Sequence, residues 1–481
     1  MQRTRIQSTP LDDRLRQWLP RTHSAVALIA LALGGVIGGA AAFGPLFVAA
    51  ALLGLVVGYA LLTSVAAGLA GVVAIITLLP FGTLPFKAII TPNFLTLALA
   101  GLLMVWVLRL LARSDTYDIR LTPLGLPLLG FLGVTFFSLI LGARGLPDTL
   151  TLHNYAKFVL GVLFFFSIVN CVRTREQARF ILRVTVICGG LAGLLGLLLY
   201  ALNDQTSLQL LVSLGRIGYP TGGRVLRYVE DDPGGLERAI STSVDPNSYG
   251  GMLALVGALA AAQLFAERPL LRRRQLTSIV GVMGIALLLT FSRAALFGLI
   301  IAIVYLATLR YRRLWWAMIG GGVLLLGLLV GLGIAEEFAL RVVEGVQFQD
   351  QAQQMRLAEY QNAINIIARY PAFGIGFGQA PDIDLVAGVS SIYLAIAQRM
   401  GLVGLLAFLS IVGAWFLFTW QHLWQLDAER AGWLLGTQAG LVAALAVGLA
   451  DHYFFNIEFS HMVALFWGCA GLGAAIVYLR D

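Results

Sequence analysis

Long apolar runs, separated by short polar or basic segments, recur along nearly the whole chain. Runs such as residues 321–332 are apolar on every face and lack the two-residue alternation of strands in a β-barrel. A membrane helix needs about 20 apolar residues, and in lipid a helix satisfies its own backbone hydrogen bonds. The pattern therefore predicts an all-α polytopic membrane protein with about 12 to 14 transmembrane helices.

The predicted helices cover residues 24–43, 45–62, 63–80, 93–112, 122–142, 157–172, 178–202, 248–266, 275–291, 293–309, 314–335, 391–421, 431–450 and 460–479. Two long external loops interrupt them, and the second carries a short surface helix that Pro371 ends. The predicted organisation is an N-terminal cytoplasmic segment (1–23), N-terminal transmembrane helices (24–202), the first loop (203–247), central helices (248–335), the second loop (336–389) and C-terminal helices (390–481).

The composition agrees with a membrane protein, since 59% of the residues are hydrophobic and 12% are charged, whereas soluble domains have roughly 25% charged residues. The net charge of +8 is spread over many short loops, so we expect no nucleic-acid partner. The three cysteines have no metal-ligand spacing, and no phosphate-cradling GxxxxGK[ST] motif is present. We therefore predict neither a metal nor a cofactor.

The arginines predict the orientation of the chain. Short loops rich in arginine face the cytoplasm, and the segments 109–120, 173–183, 268–274 and 310–313 carry most of them. Both termini are then cytoplasmic. Nine arginines fall on the outer side, against the rule: Arg216, Arg224, Arg227, Arg238, Arg293, Arg341, Arg356, Arg369 and Arg399. An anionic ligand such as a phosphate would explain these outer arginines, because arginine forms forked hydrogen bonds with it. Ion pairing with carboxylates of the same loops is the alternative.

Three features outside the apolar runs point to a site. The run from 275 to 309 is interrupted at Ser292-Arg293, and a guanidinium at membrane depth is costly and rarely serves packing. Asp245 precedes Pro246, which is typical of a helix N-cap followed by proline at the first helical position. The segment Phe373-Gly-Ile-Gly-Phe-Gly378 has three alternating glycines, which permit close approach of a ligand or form a flexible turn.

Several short motifs follow one another in a recognisable order. They are Asp245-Pro-Asn247, Thr290-Phe-Ser-Arg293, Arg356-Leu-Ala-Glu-Tyr360, Pro371-Ala-Phe-Gly-Ile-Gly-Phe-Gly378, and Ser391 followed by nine residues and Gly401-Leu-Val-Gly404. In this order and spacing, the stretch from Asp245 to Gly404 resembles the O-antigen ligase and polymerase superfamily of bacterial membrane glycosyltransferases. The resemblance covers about a third of the chain.

The resemblance implies transfer of glycan from an undecaprenyl-diphosphate carrier to an acceptor hydroxyl at the outer face of the cytoplasmic membrane. It implies that Arg293 and Arg356 bind the diphosphate. In the ligases a histidine that orients or deprotonates the acceptor stands where this chain has Ser390. Another base could replace it (Glu359, Asp382, Asp384 or His452), base help could be dispensable, or the reaction could be lost. A polymerase or an atypical ligase is therefore the preferred prediction.

The candidate residues fall into two groups. The candidate catalytic residues are Arg293, Arg356 and Ser390, and the candidate substrate-binding residues are Arg216, Arg224, Asp245, Asn247, Tyr360, Gly376, Gly378 and Ser391. The expected partners are the lipid-linked glycan donor, a glycan or glycolipid acceptor and the lipid bilayer; the oligomeric state is open.

Two other function classes compete with the transferase. One is a transporter or flippase for polysaccharide or lipid-linked sugar, and the other is a catalytically silent glycolipid-binding protein. Transporters usually place polar groups at mid-membrane on broken helices. Here the centres of the predicted helices are nearly free of charge, and the polar residues concentrate in the two long loops. This distribution favours chemistry at the membrane surface.

Overall fold

The computed structural model describes residues 64–84, 93–112, 119–120, 122–142, 147–331, 351–377 and 389–479, with isolated residues between 30 and 52. The chain divides into two compact units, Met1–Thr63 and Ser64–Asp481. The predicted helices at 24–43 and 45–62 fall in the first unit and lie outside the continuously described residues. All helices and strands with described bounds belong to the second unit.

The second unit is an assembly of helices with almost no strand, which confirms the predicted all-α membrane fold. In chain order the helices are α1 (Val65–Leu78), α2 (Phe94–Ala112), α3 (Gly125–Gly142), α4 (Thr149–Cys171), α5 (Arg175–Ala201), α6 (Asp204–Ser213), α7 (Pro246–Phe265), α8 (Arg273–Leu289), α9 (Arg293–Leu309), α10 (Arg313–Gly331), α11 (Gln351–Arg369), α12 (Ile392–Leu423), α13 (Ala428–Val447) and α14 (Ser460–Val477). Two-residue strands β1 (Arg227–Tyr228) and β2 (Glu237–Arg238) pair antiparallel. Of the described helices, α4, α5, α7, α12, α13 and α14 are long and apolar enough to cross a membrane.

The break expected at Ser292-Arg293 is present between α8 and α9. Phe291 has a positive φ of 51°, which ends the first helix, and the Ser292 side chain caps the second by accepting a hydrogen bond from the Ala295 amide at 3.4 Å. Serine is a favourable N-cap because its oxygen satisfies an amide that has no helical partner. The polar pair Ser292-Arg293 therefore marks the point where α8 has ended and α9 begins.

Helix α6 lies in the first long loop, where no helix was predicted, and two predicted helices differ from the structure by more than a few residues or by an interruption. Helix α4 begins at Thr149 rather than at residue 157, because Asp148 caps it by accepting a hydrogen bond from the Thr151 amide at 2.9 Å. The polar character of its first two turns had suggested a loop. Helix α12 is interrupted at Gly401, whose φ is 67°, although the apolar pattern predicts one continuous helix. Hydrophobic periodicity does not report either effect.

Helices α7, α13 and α14 form the centre of the bundle, since 89%, 83% and 94% of their apolar windows are buried. Glycines let the backbones approach closely, as is common between membrane helices. A Cβ atom at Gly298 of α9 would lie 2.7 Å from the Ala443 carbonyl oxygen of α13. A Cβ atom at Gly471 of α14 would lie 2.9 Å from the Phe165 carbonyl oxygen of α4. Any larger residue would push these helices apart.

The bundle has two chemically distinct ends. The basic end comprises the connections 172–174, 266–272, 310–312 and 424–427, and ion pairs link them to each other and to the adjoining helices. Arg175 pairs with Asp427 at 3.0 Å, and Arg310 pairs with Glu267 at 3.3 Å. The loop end comprises the connections 202–245, 290–292 and 448–459. The candidate site lies at the loop end.

The first long loop is folded and fastened to the bundle. It contains α6 and the β1–β2 hairpin, in which Arg227 faces Arg238. The Ala239 amide donates to the Leu289 carbonyl oxygen at 2.8 Å, and the Thr242 hydroxyl donates to the Leu78 carbonyl oxygen at 2.8 Å. These bonds satisfy groups at the helix ends and hold β2 against the end of α8.

The second long loop is described over residues 351–377 and from residue 389 onward. After α11, the chain turns and residues 371–377 pack on the interruption of α12. The Leu402 amide donates to the Pro371 carbonyl oxygen at 2.7 Å. A Cβ atom at Gly401 would lie 2.2 Å from the Ala372 carbonyl group, so this approach requires glycine. The packing fixes where α11 lies relative to the start of α12.

Candidate functional site

Arg238 is the central cation of the loop end, and the sequence analysis did not select it. Its Nε donates to the Thr290 carbonyl oxygen at 2.8 Å, and its Nη2 donates to Asn247 Oδ1 at 2.7 Å. It thereby ties the break between α8 and α9 to the first turn of α7. Burial lowers the pKa of Arg238, and the nearby positive charge of Arg356 lowers it further, whereas Asp245 and Asp451 act in the opposite direction.

Asp245 caps α7, as its position before Pro246 predicts. One carboxylate oxygen accepts hydrogen bonds from the Asn247 amide at 2.8 Å and the Ser248 amide at 3.0 Å. Tyr453 interacts electrostatically with this carboxylate, and burial together with the nearby charges of Asp245 and Asp451 raises the pKa of Tyr453. Asp245 therefore joins α7 to the connection between α13 and α14. Asn247 Oδ1 accepts the hydrogen bond from Arg238. Both Asp245 and Asn247 therefore position neighbouring side chains or helices of the site.

Asp451 is a buried carboxyl group at the same place, with 3% of its surface exposed. Burial raises its pKa, the charge of Asp245 raises it as well, and His452 and Arg356 lower it. Among the described residues, its Oδ2 atom has no hydrogen-bond partner, and neither has His452 Nδ1. A buried polar atom without a partner is costly and is characteristic of functional sites.

Helix α11 brings Arg356 and Tyr360 to this cluster on one face, one turn apart. The Tyr360 hydroxyl donates to the Ser390 carbonyl oxygen at 2.8 Å and approaches the Leu449 carbonyl oxygen at 3.4 Å. The charge of Arg356 acts on Asp451, Arg238 and Tyr360, so its guanidinium lies near all three. Within the described residues, Arg356 donates no hydrogen bond, and the forked donors of a guanidinium suit an anion such as a phosphate.

Ser390 contacts the same helix through Glu359. Its amide and its hydroxyl both donate to Glu359 Oε2, at 3.0 Å and 2.6 Å. Its neighbour Ser391 is buried, and the Ser391 hydroxyl donates to the Gly448 carbonyl oxygen at 3.3 Å. Ser391 thus fastens the start of α12 to the end of α13, while Ser390 is half-buried beside the carboxylate.

Arg293 begins α9 with an exposed side chain. It stands three residues after Thr290, whose carbonyl oxygen accepts the hydrogen bond from Arg238. Arg238 in turn interacts electrostatically with Arg356. Arg238 therefore lies beside both the break between α8 and α9, which leads to Arg293, and helix α11, which carries Arg356. A diphosphate has two charged groups, and a site flanked by several arginines suits it.

The other predicted binding residues are not part of this cluster. Arg216 is exposed in a short 3₁₀ turn, and the Arg224 guanidinium donates to the Asp231 carbonyl oxygen within its own loop. In the described part of the chain, no hydrogen bond or ion pair joins either of them to Asp245 or Asp451. The Gly376 amide donates to the Arg399 carbonyl oxygen at 2.8 Å, so its backbone serves packing. Gly378, Asp382 and Asp384 lie outside the described residues.

The sequence analysis did not select Arg238, Asp451 or Tyr453 as site residues. One local signal for Asp451 exists, since it is the only acidic residue between Glu429 and Glu458 and an aromatic run, Tyr453–Phe455, follows it. Arg238 is one of the nine arginines predicted on the outer side, but the sequence does not distinguish it from the others, because its role depends on its contact with Thr290 and its interaction with Arg356. Asp245 and Asp451 come close together, but the described residues contain no group of three or more His, Cys, Asp or Glu side chains arranged to hold a metal ion.

The comparisons with known proteins agree with this arrangement. Residues 278–409 match the family model described as O-antigen ligase, which confirms the resemblance inferred from the motifs. The matched segment includes Arg293, Arg356, Glu359 and Ser390, whereas Arg238, Asp245 and Asp451 lie outside it. No curated protein matches the chain.

Proposed function

We propose that the protein transfers or polymerises glycan from an undecaprenyl-diphosphate carrier at the outer face of the bacterial cytoplasmic membrane. The match to the O-antigen ligase family supports glycosyltransferase chemistry. The observation that carries the proposal is the grouping of Arg356 and Arg238 around buried Asp451 at the loop end, next to the break that leads to Arg293.

The charge distribution supports the orientation. Arginines concentrate at and beside the basic end, and short loops rich in arginine remain in the cytoplasm. The loop end then faces outward, where a lipid-linked glycan that has crossed the membrane is available. Both termini are cytoplasmic in this arrangement.

The proposed reaction is a direct displacement at the anomeric carbon. The acceptor oxygen forms the new glycosidic bond, the bond to the diphosphate oxygen breaks, and the lipid diphosphate leaves with the electron pair. Arg293 and Arg356 stabilise the charge that develops on the leaving group, and one preorganised donor of this kind is worth about 100- to 1,000-fold in rate. Arg238 is already bonded to Thr290 and Asn247, so it orients the site.

Ser390 favours a polymerase or an atypical ligase. Its hydroxyl can hydrogen-bond a sugar, but a serine is a poor base at neutral pH without a partner. In a polymerase the acceptor is a glycan unit on a second carrier molecule. The reaction as proposed uses no nucleotide, cofactor or metal.

The test replaces Arg356 and measures transfer of the host's own lipid-linked glycan in membranes from a strain that lacks the native gene. We expect Arg356→Ala to reduce product about 100- to 1,000-fold at equal protein level. Arg356→Lys keeps the charge but loses the forked geometry and should give an intermediate rate. Arg369→Ala is the matched control, since Arg369 is an exposed residue at the end of the same helix.

Undiminished product from Arg356→Ala would contradict the proposal. Movement of the lipid-linked glycan across a liposome membrane, with no new glycosidic bond, would support a transporter instead. Binding of the glycolipid by the wild-type protein without transfer would support a silent binding protein.

A further inference from the structure

Two neighbouring residues of α11 hold the Ser390 peptide on both sides. Glu359 accepts hydrogen bonds from the Ser390 amide at 3.0 Å and the Ser390 hydroxyl at 2.6 Å, and the Tyr360 hydroxyl donates to the Ser390 carbonyl oxygen at 2.8 Å. The serine proton therefore points at the carboxylate, and the remaining lone pairs of its oxygen point elsewhere. Such an arrangement fixes a hydroxyl in one orientation.

We infer that Glu359 is the final proton acceptor of the transfer reaction and that it acts through Ser390. This inference rests on the proposed function. Ser390 contacts the acceptor sugar, and Glu359 takes the proton that Ser390 passes on. The pair would replace the histidine that the ligases have at the position of Ser390.

The proton transfer can be written so that it balances. The acceptor hydroxyl donates to Ser390 Oγ while its oxygen bonds to the anomeric carbon and the lipid diphosphate leaves. The acceptor proton moves to Ser390 Oγ, and the original serine proton moves to Glu359 Oε2 along the 2.6 Å hydrogen bond. A short hydrogen bond from a hydroxyl to a carboxylate is typical of the strong, charge-assisted type.

Among the residues that the structure describes, the other candidate bases at the loop end are less suited to this role. Asp451 is 3% exposed and lies beside Asp245, and burial raises its pKa, which favours the neutral acid. His452 Nδ1 lies 3.7 Å from Asp451 Oδ1, and no contact with Ser390 is present among the described residues. Glu359 is half-buried, and in the described part of the chain its Oε1 atom accepts no hydrogen bond. Its carboxylate is thus both accessible and already coupled to a hydroxyl.

The test uses Glu359→Gln in the full-length protein. The glutamine oxygen can still accept both hydrogen bonds from Ser390, so the tie between α11 and residue 390 is kept while the base is lost. We expect the maximal transfer rate to fall about 100- to 10,000-fold. The thermal midpoint and the affinity for undecaprenyl diphosphate should stay close to those of the wild type. The control is Gln361→Ala, an exposed position on the same helix.

The pH dependence separates a proton acceptor from a structural tie. The wild-type rate should fall on the acid side as a carboxylate is protonated, and the residual rate of Glu359→Gln should lack that acid limb. Adding Ser390→His to Glu359→Gln supplies a base at the position used by the ligases, and it should raise the rate at least about tenfold over Glu359→Gln.

A rate for Glu359→Gln within about threefold of the wild type, far short of the loss expected for a missing base, would overturn the inference. An unchanged acid limb in this variant would also overturn it. If Arg356→Ala abolishes transfer while Glu359→Gln does not, the proposed function stands and only the proton acceptor is wrong. A wild-type protein that makes no glycosidic bond would overturn both.

Discussion

Replacement of Arg238 tests how the loop end is held together. In Arg238→Ala the Thr290 carbonyl oxygen and Asn247 Oδ1 lose donors at 2.8 Å and 2.7 Å. A hydrogen bond from a charged group contributes about 1.5 to 3 kcal/mol. The carboxyl groups of Asp245 and Asp451 also lose a nearby cation. Arg238 is half-buried and donates two such bonds, so at the low end of that range we expect the free energy of unfolding to fall by about 3 kcal/mol.

The assay is a denaturant titration of the purified protein in mixed detergent micelles, together with transfer activity. Arg227→Ala is the matched control, because Arg227 faces Arg238 across the hairpin and, among the described residues, its side chain donates a single hydrogen bond, to the Val244 carbonyl oxygen at 3.4 Å. We expect it to cost about 1 kcal/mol or less. Arg238→Lys can reach only one of the two acceptors and should lie between them. Equal losses for Arg238→Ala and Arg227→Ala would refute the central role of Arg238.

Two further predictions concern carboxyl groups near Arg238. Asp451→Asn should reduce transfer at least about tenfold, the usual order for a misplaced active-site group. The folded protein binds the Asp451 proton more tightly than the unfolded chain does. The stability of the wild type relative to Asp451→Asn should therefore be greatest below pH 3.8 and fall as the pH rises, which thermal unfolding between pH 4 and 8 can follow. A parallel pH course for the two proteins would contradict this. Burial and the charge of Asp204 raise the pKa of Glu237 from 4.5 to about 7, so its stabilising effect on the hairpin is complete below pH 4.5 and is lost as pH rises through 7. The protection factors of residues 227–238, which correct hydrogen exchange for its intrinsic rise with pH, should therefore fall across this interval in the wild type. In Glu237→Gln they should stay constant.

The sequence was sufficient for the features that depend on neighbouring residues. Apolar runs of membrane length predicted the helices, and Asp245 before Pro246 predicted the cap of α7. The polar pair Ser292-Arg293 predicted the break between α8 and α9, because a serine that caps a helix acts within three residues. Arg356, Tyr360 and Ser390 were selected together from motif order, and the structure brings all three to the loop end.

The features that the sequence did not predict depend on distant contacts. Arg238 acts through Thr290, which lies 52 positions away, and through its electrostatic coupling to Arg356. The interruption of α12 at Gly401 follows from the packing of residues 371–377 against it, which hydrophobic periodicity does not report. Asp451 differs from an ordinary helix-end residue only in its burial and its unpartnered oxygen. The bond between Glu359 and Ser390 joins residues 31 positions apart, so no local pattern predicts it.

The most direct test of the account is to determine the structure of the protein with undecaprenyl diphosphate bound in a lipid nanodisc. We predict that the diphosphate lies at the loop end, within hydrogen-bond distance of the guanidinium groups of Arg293 and Arg356, with Ser390 facing the space where the sugar would be attached. A diphosphate bound at the basic end, or at the loop end without contact to either arginine, would contradict it.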